Sequence, residues 1–198
     1  MEKEIRDYQR LNTIAEKGGV VIFGEKEDKE IPVGELKQSF NLDYSAYNRS
    51  FSELNLDNAI ELYDSCIIPL RPDTVMIHLG GSEEYWKDIA GFEQKYILLI
   101  NHIQAVSKNV RIVVISVDDE EKNRHLKNIS DSTHSEFQNL LNVKMWNPCA
   151  TKEVISFVQC MGFYGRNRKV SSYDLAKIFF CQGKANILGC QANSKTSV

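Results

Sequence analysis

Hydrophobic residues in this chain form short continuous runs that are separated by longer stretches of mixed polarity. The runs at residues 20–23, 74–79 and 110–117 are rich in valine and isoleucine, and a glycine or an acidic loop follows each of them. Continuous runs of β-branched residues are typical of strands that are buried on both faces of a parallel sheet. The pattern therefore predicts three core strands, with a weaker strand at 42–47 and a fifth at 143–146.

The stretches between these runs predict helices. Residues 2–16 place Ile5 and Tyr8 at helical spacing, and a glycine pair follows as a stop signal. The longest helix is predicted at residues 85–107, where apolar side chains recur every three to four positions. Further helices are predicted at residues 35–40, from Asn55 or Asp57 to about 70, at 135–141, at 151–161 and at 172–181.

This alternation of strands and helices predicts the fold class. It favours an α/β protein, a three-layer α/β/α sandwich with a central parallel sheet of about five strands and right-handed crossovers. One domain is expected over residues 1–198, with a frayed polar tail at about 193–198. Ligands of such sheets bind beyond the carboxyl ends of the strands, so function is expected in the loops that follow them.

Composition narrows the classes of partner. The 198 residues are 42% hydrophobic and 26% charged, which is ordinary for a soluble globular domain. A formal net charge of -3 disfavours nucleic acid and anionic membranes as partners. The charged amino terminus and the absence of a long apolar run predict a cytoplasmic protein. The five cysteines include no C-x-x-C pair and are expected to be reduced.

Three sequence blocks follow one another with a recognisable order and spacing. The first covers residues 19–24, the second is Tyr-Asn-Arg-Ser-Phe-Ser-Glu at 47–53, and the third covers 72–83 and ends in Gly-Gly-Ser-Glu. Together they resemble the motifs of the GDSL or SGNH hydrolases, a lipase and acylhydrolase superfamily, over residues 8–117. The resemblance implies an SGNH-hydrolase-like, flavodoxin-like sheet.

The same resemblance implies which positions would form a catalytic site. In that family a serine of the first block attacks an acyl carbonyl, the later blocks supply oxyanion donors, and a late Asp-x-x-His supplies the base. The matching positions here, a vestigial pocket, are Gly24, Glu25, Lys26, Glu53, Gly80, Ser82, Glu83 and Asn167. Lys26 stands where the serine would be, Glu53 and Ser82 replace two oxyanion donors, and no histidine follows in the late motif.

These replacements predict that ordinary family catalysis is absent. Loss of one oxyanion donor lowers turnover about 10²- to 10³-fold, and loss of the catalytic triad lowers it roughly 10⁶-fold. Lys26 is a poor substitute nucleophile, because an unperturbed lysine has a pKa of about 10.4 and the neighbouring carboxylates favour its ammonium form. Lys26 is therefore expected to be an ion-paired structural residue.

Other candidate sites have ordinary alternatives. Asp131 and His134 fit the bare Asp-x-x-His pattern as a shifted dyad, although they precede the predicted fifth strand. His78 lies within a predicted strand and is expected to be a hydrogen-bonded core histidine. Ten acidic residues are predicted to form a rim at the strand ends that would attract a divalent cation or a basic ligand, unless they are simply exposed loop residues. They are Glu25, Glu27, Asp28, Glu53, Glu83, Glu84, Asp118, Asp119, Glu120 and Glu121.

The sequence thus predicts a catalytically degenerate GDSL/SGNH hydrolase-like protein, a non-catalytic binding or scaffold module that uses the altered strand-end pocket. No catalytic residue, cofactor or metal ion is assigned. The expected partner is an unidentified small molecule or protein at the strand-end pocket. The alternatives are an acyl-ester hydrolase with relocated catalytic residues and an interaction subunit of an active relative.

Overall fold

A computed structural model describes residues 1–39 and 41–139 and shows a five-stranded parallel sheet. The strands are β1 Val20–Gly24, β2 Ala46–Asn48, β3 Thr74–His78, β4 Arg111–Ile115 and β5 Glu136–Gln138. The helices are α1 Glu2–Ile14, α2 Val33–Ser39, α3 Ala59–Cys66, α4 Ile89–Val106 and α5 Glu120–Thr133. Short 3-10 helices cover Lys26–Glu30, Ile68–Leu70 and Glu83–Lys87.

The order of the strands across the sheet is β2-β1-β3-β4-β5, and every neighbouring pair is parallel. This is the order of doubly wound, flavodoxin-like sheets, in which the chain reverses its direction of winding between β1 and β3. The predicted fold class is therefore confirmed. Loops that leave β1 and β3 diverge at this reversal, and a crevice forms between them.

The sheet separates two hydrophobic layers, because successive residues of a strand point to opposite faces. Val21 and Phe23 of β1 pack on one side with residues of α3, α4 and α5, and α1 covers part of that layer. Val20 and Ile22 pack on the other side, where Leu36 of α2 contributes to the core. Both faces of β1 are buried, as the continuous apolar run in its sequence predicts.

The described part of the chain contains no helix that is long and apolar enough to cross a membrane.

The region after β4 differs from the sequence-based prediction. The polar stretch at 120–133 is helix α5, and residues 136–138 are β5, so the helix predicted at 135–141 is wrong where it overlaps this strand. Asp119 caps α5 by accepting hydrogen bonds from the backbone N–H groups of Glu121 and Lys122 at 2.9 and 3.0 Å. Only a narrow face of α5, including Leu126 and Ile129, is buried, so its apolar periodicity is weak.

Three other elements are shorter than predicted. Strand β2 covers only three residues, Ala46–Asn48, two of which lie within the predicted 42–47. Helix α4 begins at Ile89 and not at 85, because Asp88 caps it by accepting the N–H of Gly91 at 3.0 Å. Helix α3 ends at Cys66, and a 3-10 turn covers the remainder up to Leu70. The strand predicted at 143–146, the helices at 151–161 and 172–181 and the tail lie outside the described residues.

Candidate functional site

A cleft of about 1010 Å³ lies beyond the carboxyl ends of β1, β3 and β4. Its walls come from the 3-10 helix after β1, from the loop after β2, from the segment after β3 and from the first turns of α4. Its apolar surface includes Ile22, Met76, Ile115 and Phe92. The cleft is therefore at the reversal point between β1 and β3, where ligands bind in doubly wound sheets.

Glu25, the first residue after β1, turns its side chain into this cleft. Its Oε2 accepts the N–H of Gly81 at 3.2 Å, and its own N–H donates to Oδ2 of Asp28 at 2.9 Å. Burial raises the pKa of Glu25, and this effect outweighs the opposing effects of the Tyr85 hydrogen bond, the His78 charge and the Gly81 N–H. A half-buried carboxylate thus links the end of β1 to the segment after β3.

Asp28 and His78 form an ion pair on the wall of the cleft. Asp28 is only 4% exposed, and its Oδ1 lies 2.8 Å from Nδ1 of His78, whose side chain is 33% exposed. The pair forms because Gly24, four residues before Asp28, lies directly beside His78 in the register of β1 and β3. A Cβ atom on Gly24 would lie 2.1 Å from Oδ2 of Asp28, so a glycine is needed for this close approach.

The environment of His78 favours its charged form. Burial lowers the pKa of the imidazole, but the charge and hydrogen bond of Asp28, the charge of Glu25 and a hydrogen bond with the Ser116 backbone together raise it above its ordinary value. The sequence-based prediction of a hydrogen-bonded histidine is confirmed, whereas its placement in the core is wrong, because the ring reaches the cleft.

Lys26 is exposed and lines the rim of the cleft. The predicted ion pair is wrong for the residues that the structure describes, where the ammonium group has no carboxylate partner. Two of the flanking acids have other partners: Glu25 contacts Gly81, and Asp28 contacts His78. The position predicted to match a nucleophile is therefore a solvent-exposed ammonium group.

Of the other positions of the predicted vestigial pocket, some line the cleft and some do not. Glu53 and Ser82 line the cleft together with Glu25 and Lys26. Gly80 has φ 112° and lies behind the cleft, where its carbonyl accepts the indole N–H of Trp86 at 2.9 Å. Glu83 pairs with Lys122 of α5 and is not part of the lining. Asn167 lies outside the described residues, and Gly24 ends β1 beneath Asp28.

The predicted acidic rim is present in part. Six of its ten members line the cleft, and Asp57 and Asp88, which the sequence-based reasoning missed, complete a set of eight. The eight acidic residues are Glu25, Glu27, Asp28, Glu53, Asp57, Glu84, Asp88 and Asp118. Lys26 and Lys95 are the lysines of the lining, and Lys95 is paired with Asp57. Among the described residues, no group of three or more His, Cys, Asp or Glu side chains is arranged to hold a metal ion.

The alternative dyad at Asp131 and His134 is not at this site. His134 ends α5 with φ 54°, two residues before β5 begins at Glu136. The amino ends of parallel strands lie at the edge of the sheet opposite the cleft. The dyad hypothesis is therefore wrong for these two residues.

The second sequence block stabilises the fold around the cleft. The Arg49 side chain is 5% exposed and donates from Nη2 and Nε to Oδ1 of Asn12 at 2.8 and 3.1 Å. Its guanidinium group also lies over the rings of Tyr8 and Tyr47, at 5.0 and 5.5 Å from their centroids. Arg49 thus attaches α1 to β2 and does not line the cleft.

Glu4 of α1 accepts hydrogen bonds from the loop that follows β2. Its Oε1 accepts the N–H and the hydroxyl of Ser52 at 3.2 and 2.8 Å, and it pairs with Lys29. Burial acts to raise the pKa of Glu4, but the hydrogen bonds from Lys29 and Ser52 outweigh it and lower the pKa from 4.5 to about 2. Ser52 lines the cleft, so this network connects α1 to the shape of the site.

Glu4→Gln is expected to destabilise the protein in a pH-dependent way. A lowered carboxyl pKa contributes stability above the unfolded value of 4.5, and this contribution is lost as the pH falls towards about 2. After allowance for solvent screening, we expect a loss of about 1–2 kcal/mol at pH 7. Urea unfolding of both proteins at several pH values between 7 and 3 measures it. A difference that stays constant or grows as the pH falls would contradict this assignment.

Solved structures of GDSL-like lipases, acylhydrolases and acetylxylan esterases share this fold. Solved structures with this fold include a proposed acylhydrolase from Bacteroides fragilis, with a TM-score of 0.57, 13% identity and coverage of 81% of this chain and 97% of that one. An acetylxylan esterase from Geobacillus stearothermophilus has a TM-score of 0.54 and 15% identity over 78% of this chain and 99% of that one.

A proposed GDSL-like lipase from Parabacteroides merdae is similar in the same way, with a TM-score of 0.52 and 14% identity over 74% of this chain and 97% of that one. At these identities the similarity establishes the fold. No model of a known protein family matches the sequence, and no curated protein matches it either.

Proposed function

We propose that this chain is a catalytically degenerate SGNH-hydrolase-like protein that binds a positively charged ligand in its strand-end cleft without hydrolysing it. The proposal rests on the two residues that directly follow β1. There the carboxylate of Glu25 turns into the cleft, and the exposed ammonium group of Lys26 stands at the position that the sequence resemblance predicts for the nucleophile. An ammonium ion has no free electron pair and cannot attack a carbonyl.

Two of the three serines that line the cleft, Ser52 and Ser82, are engaged in structural contacts. The Ser52 hydroxyl donates to Glu4 and accepts from Lys29, and Ser82 accepts the N–H of Glu84 at 3.3 Å. A nucleophilic serine requires a base within hydrogen-bonding distance. In the described part of the chain neither hydroxyl is hydrogen-bonded to a histidine, and Nδ1 of His78 is held by Asp28. These contacts favour binding over hydrolysis.

The charge of the lining indicates the chemistry of the ligand. Eight carboxyl groups face two lysines, and Lys95 is already paired with Asp57. Apolar side chains of Ile22, Met76 and Ile115 form the floor beneath them. A complementary ligand would carry one or more amino or guanidino groups on an apolar body.

Three linear probes of equal length test this proposal. We expect 1,8-diaminooctane to bind at least about tenfold more tightly than 1,8-octanediol, and suberate not to bind, because each ammonium group gains attraction from the acidic walls. Isothermal titration calorimetry at low salt measures the three affinities. Equal binding of diamine and diol, or a preference for suberate, would contradict the proposed ligand class.

A pair of variants locates the binding. Glu53→Gln combined with Glu84→Gln removes two exposed carboxylates of the lining, and we expect it to weaken diamine binding about three- to tenfold. Glu61→Gln, on an exposed face of α3 outside the lining, is the control and should leave the affinity unchanged. Equal effects of the two changes would place the binding elsewhere.

Acyl-ester hydrolysis is the second candidate function, and the Asp28–His78 pair on the cleft wall favours it. A histidine oriented by a buried carboxylate is the arrangement of a general base. The engagement of the ring by Asp28 and by the Ser116 backbone argues against that role. Labelling with a fluorophosphonate would separate the two functions.

A further inference from the structure

We propose that the cleft selects an N-methylated ammonium group over a primary one, and that an aromatic corner formed by Tyr85 and Phe92 beside Glu25 causes this selectivity. The selectivity rests on the proposed function, because it names the kind of cationic group that the acidic cleft would accept. It concerns the charged head of the ligand and not its apolar body.

Tyr85 and Phe92 form an aromatic pair in the wall of the cleft. Both residues belong to the lining, and their ring centroids lie 5.4 Å apart with an interplanar angle of 43°. Phe92 is only 3% exposed, and its ring lies 3.2 Å from the place that a Cβ atom of Gly80 would take. Trp86 packs on the same ring, with 4.6 Å between the centroids. Phe92 is therefore fixed by its neighbours, and the half-buried ring of Tyr85 lies beside it.

A carboxylate lies next to this aromatic corner. Gly80, which touches Phe92, is followed by Gly81, whose N–H donates to Oε2 of Glu25 at 3.2 Å. The faces of aromatic rings carry negative partial charge, so a neighbouring carboxylate adds to their attraction for a cation. Proteins commonly recognise quaternary ammonium groups and methylated amines through such aromatic faces.

The chain itself contains this interaction on the adjacent ring. Nζ of Lys122 lies over Trp86, at 5.6 Å from the ring centroid, and the indole N–H donates to the Gly80 carbonyl at 2.9 Å. Trp86 is not a lining residue, whereas Tyr85 and Phe92 are. The lining rings therefore offer a ligand the kind of contact that Lys122 makes within the protein.

The carboxylates of the lining favour a cation that needs few hydrogen bonds. Asp57 and Glu84 are paired with lysine side chains, and Asp28 is paired with a histidine. Asp88 caps α4 through a backbone N–H. A primary ammonium group is strongly hydrated and has three donors to satisfy, whereas a quaternary one has none. A methylated head therefore gains the charge of these carboxylates without competing for the hydrogen bonds that they already accept.

Calorimetric titration of the unmodified protein with 1,8-diaminooctane and with its bis(trimethylammonium) analogue tests this selectivity. The two dications have the same chain length and charge and differ only in methylation. We expect the methylated dication to bind about three- to fivefold more tightly. Equal binding, or tighter binding of the diamine, would overturn the selectivity and leave the proposed ligand class intact. Failure of both dications to bind more tightly than 1,8-octanediol would contradict the proposed function, and the selectivity with it.

Two variants of one residue separate the aromatic contact from the apolar contact of the methyl groups. Tyr85→Leu keeps an apolar side chain but removes the ring, so we expect the preference for the methylated dication to fall towards one. Tyr85→Phe keeps the ring and should retain a preference of about threefold or more. The preference is a ratio of two affinities of the same protein, so a general loss of stability does not imitate the effect. A preference that survives Tyr85→Leu, or that Tyr85→Phe also abolishes, would overturn the role of the aromatic corner.

Discussion

Asp28→Ala is expected to lower the free energy of unfolding by about 3 kcal/mol at pH 7. Asp28 is 4% exposed and holds the His78 imidazole through one carboxyl oxygen and the Glu25 N–H through the other. Removing one member of a buried ion pair leaves the other charge without a partner in a poorly solvated place, which is the costly way to break such a pair. The backbone N–H of Glu25 also loses its acceptor.

Urea unfolding at pH 7 measures this loss, and Asp7→Ala is the control. Asp7 is an exposed residue of α1, and its replacement should change the free energy of unfolding by less than about 0.5 kcal/mol. If Asp28→Ala were as mild as Asp7→Ala, the Asp28–His78 pair would not organise the cleft.

Gly19→Ala is expected to be similarly severe, with a loss of about 3 kcal/mol or failure to fold. Gly19 has φ 81°, and a Cβ atom there would lie 2.1 Å from the carbonyl oxygen of Ser45. That oxygen accepts the N–H of Val20 at 2.8 Å, and the Gly19 N–H donates to Asp73 at 2.7 Å. The clash is with backbone, so alanine must separate the beginnings of β1 and β2 or break these bonds.

Gly34→Ala is the matched control for the same chemical change. Gly34 lies in α2 with open space where a Cβ would be, and its replacement should be neutral or stabilise the protein by up to about 1 kcal/mol. Thermal and urea unfolding compare the two variants. Equal stabilities of Gly19→Ala and Gly34→Ala would contradict the proposed role of Gly19.

The central strands could be predicted from the sequence, whereas the polar elements could not. β1, β3 and β4 are continuous apolar runs because both of their faces are buried, whereas a strand with one solvated face would alternate between apolar and polar residues. Helix α5 buries a narrow face on α4 and β4, and its composition is otherwise typical of a loop. The only local sequence feature that indicates this helix is the capping residue Asp119. It is difficult to recognise as a cap because it lies within the acidic run 118–121.

The location of the candidate site could be predicted from the sequence, but the contacts within the site could not. The order of the blocks placed Glu25, Glu53 and Ser82 at the strand ends, and all three line the cleft. The Asp28–His78 pair joins residues 50 positions apart, and no local sequence pattern predicts such a contact. The register of β1 and β3 places Gly24 beside His78, and the resulting pair engages Asp28, one of the carboxylates that were expected to neutralise Lys26.

Catalytic inactivity at the cleft can be tested with a covalent probe of active serines. The intact protein is incubated with a fluorophosphonate and examined by mass spectrometry, and short-chain nitrophenyl esters are supplied in parallel, beside an active SGNH esterase. We expect no mass increase and ester turnover at least about 10⁶-fold below that of the active enzyme. Stoichiometric labelling of one serine, abolished by His78→Asn and accompanied by ester turnover, would show that the cleft is catalytically active.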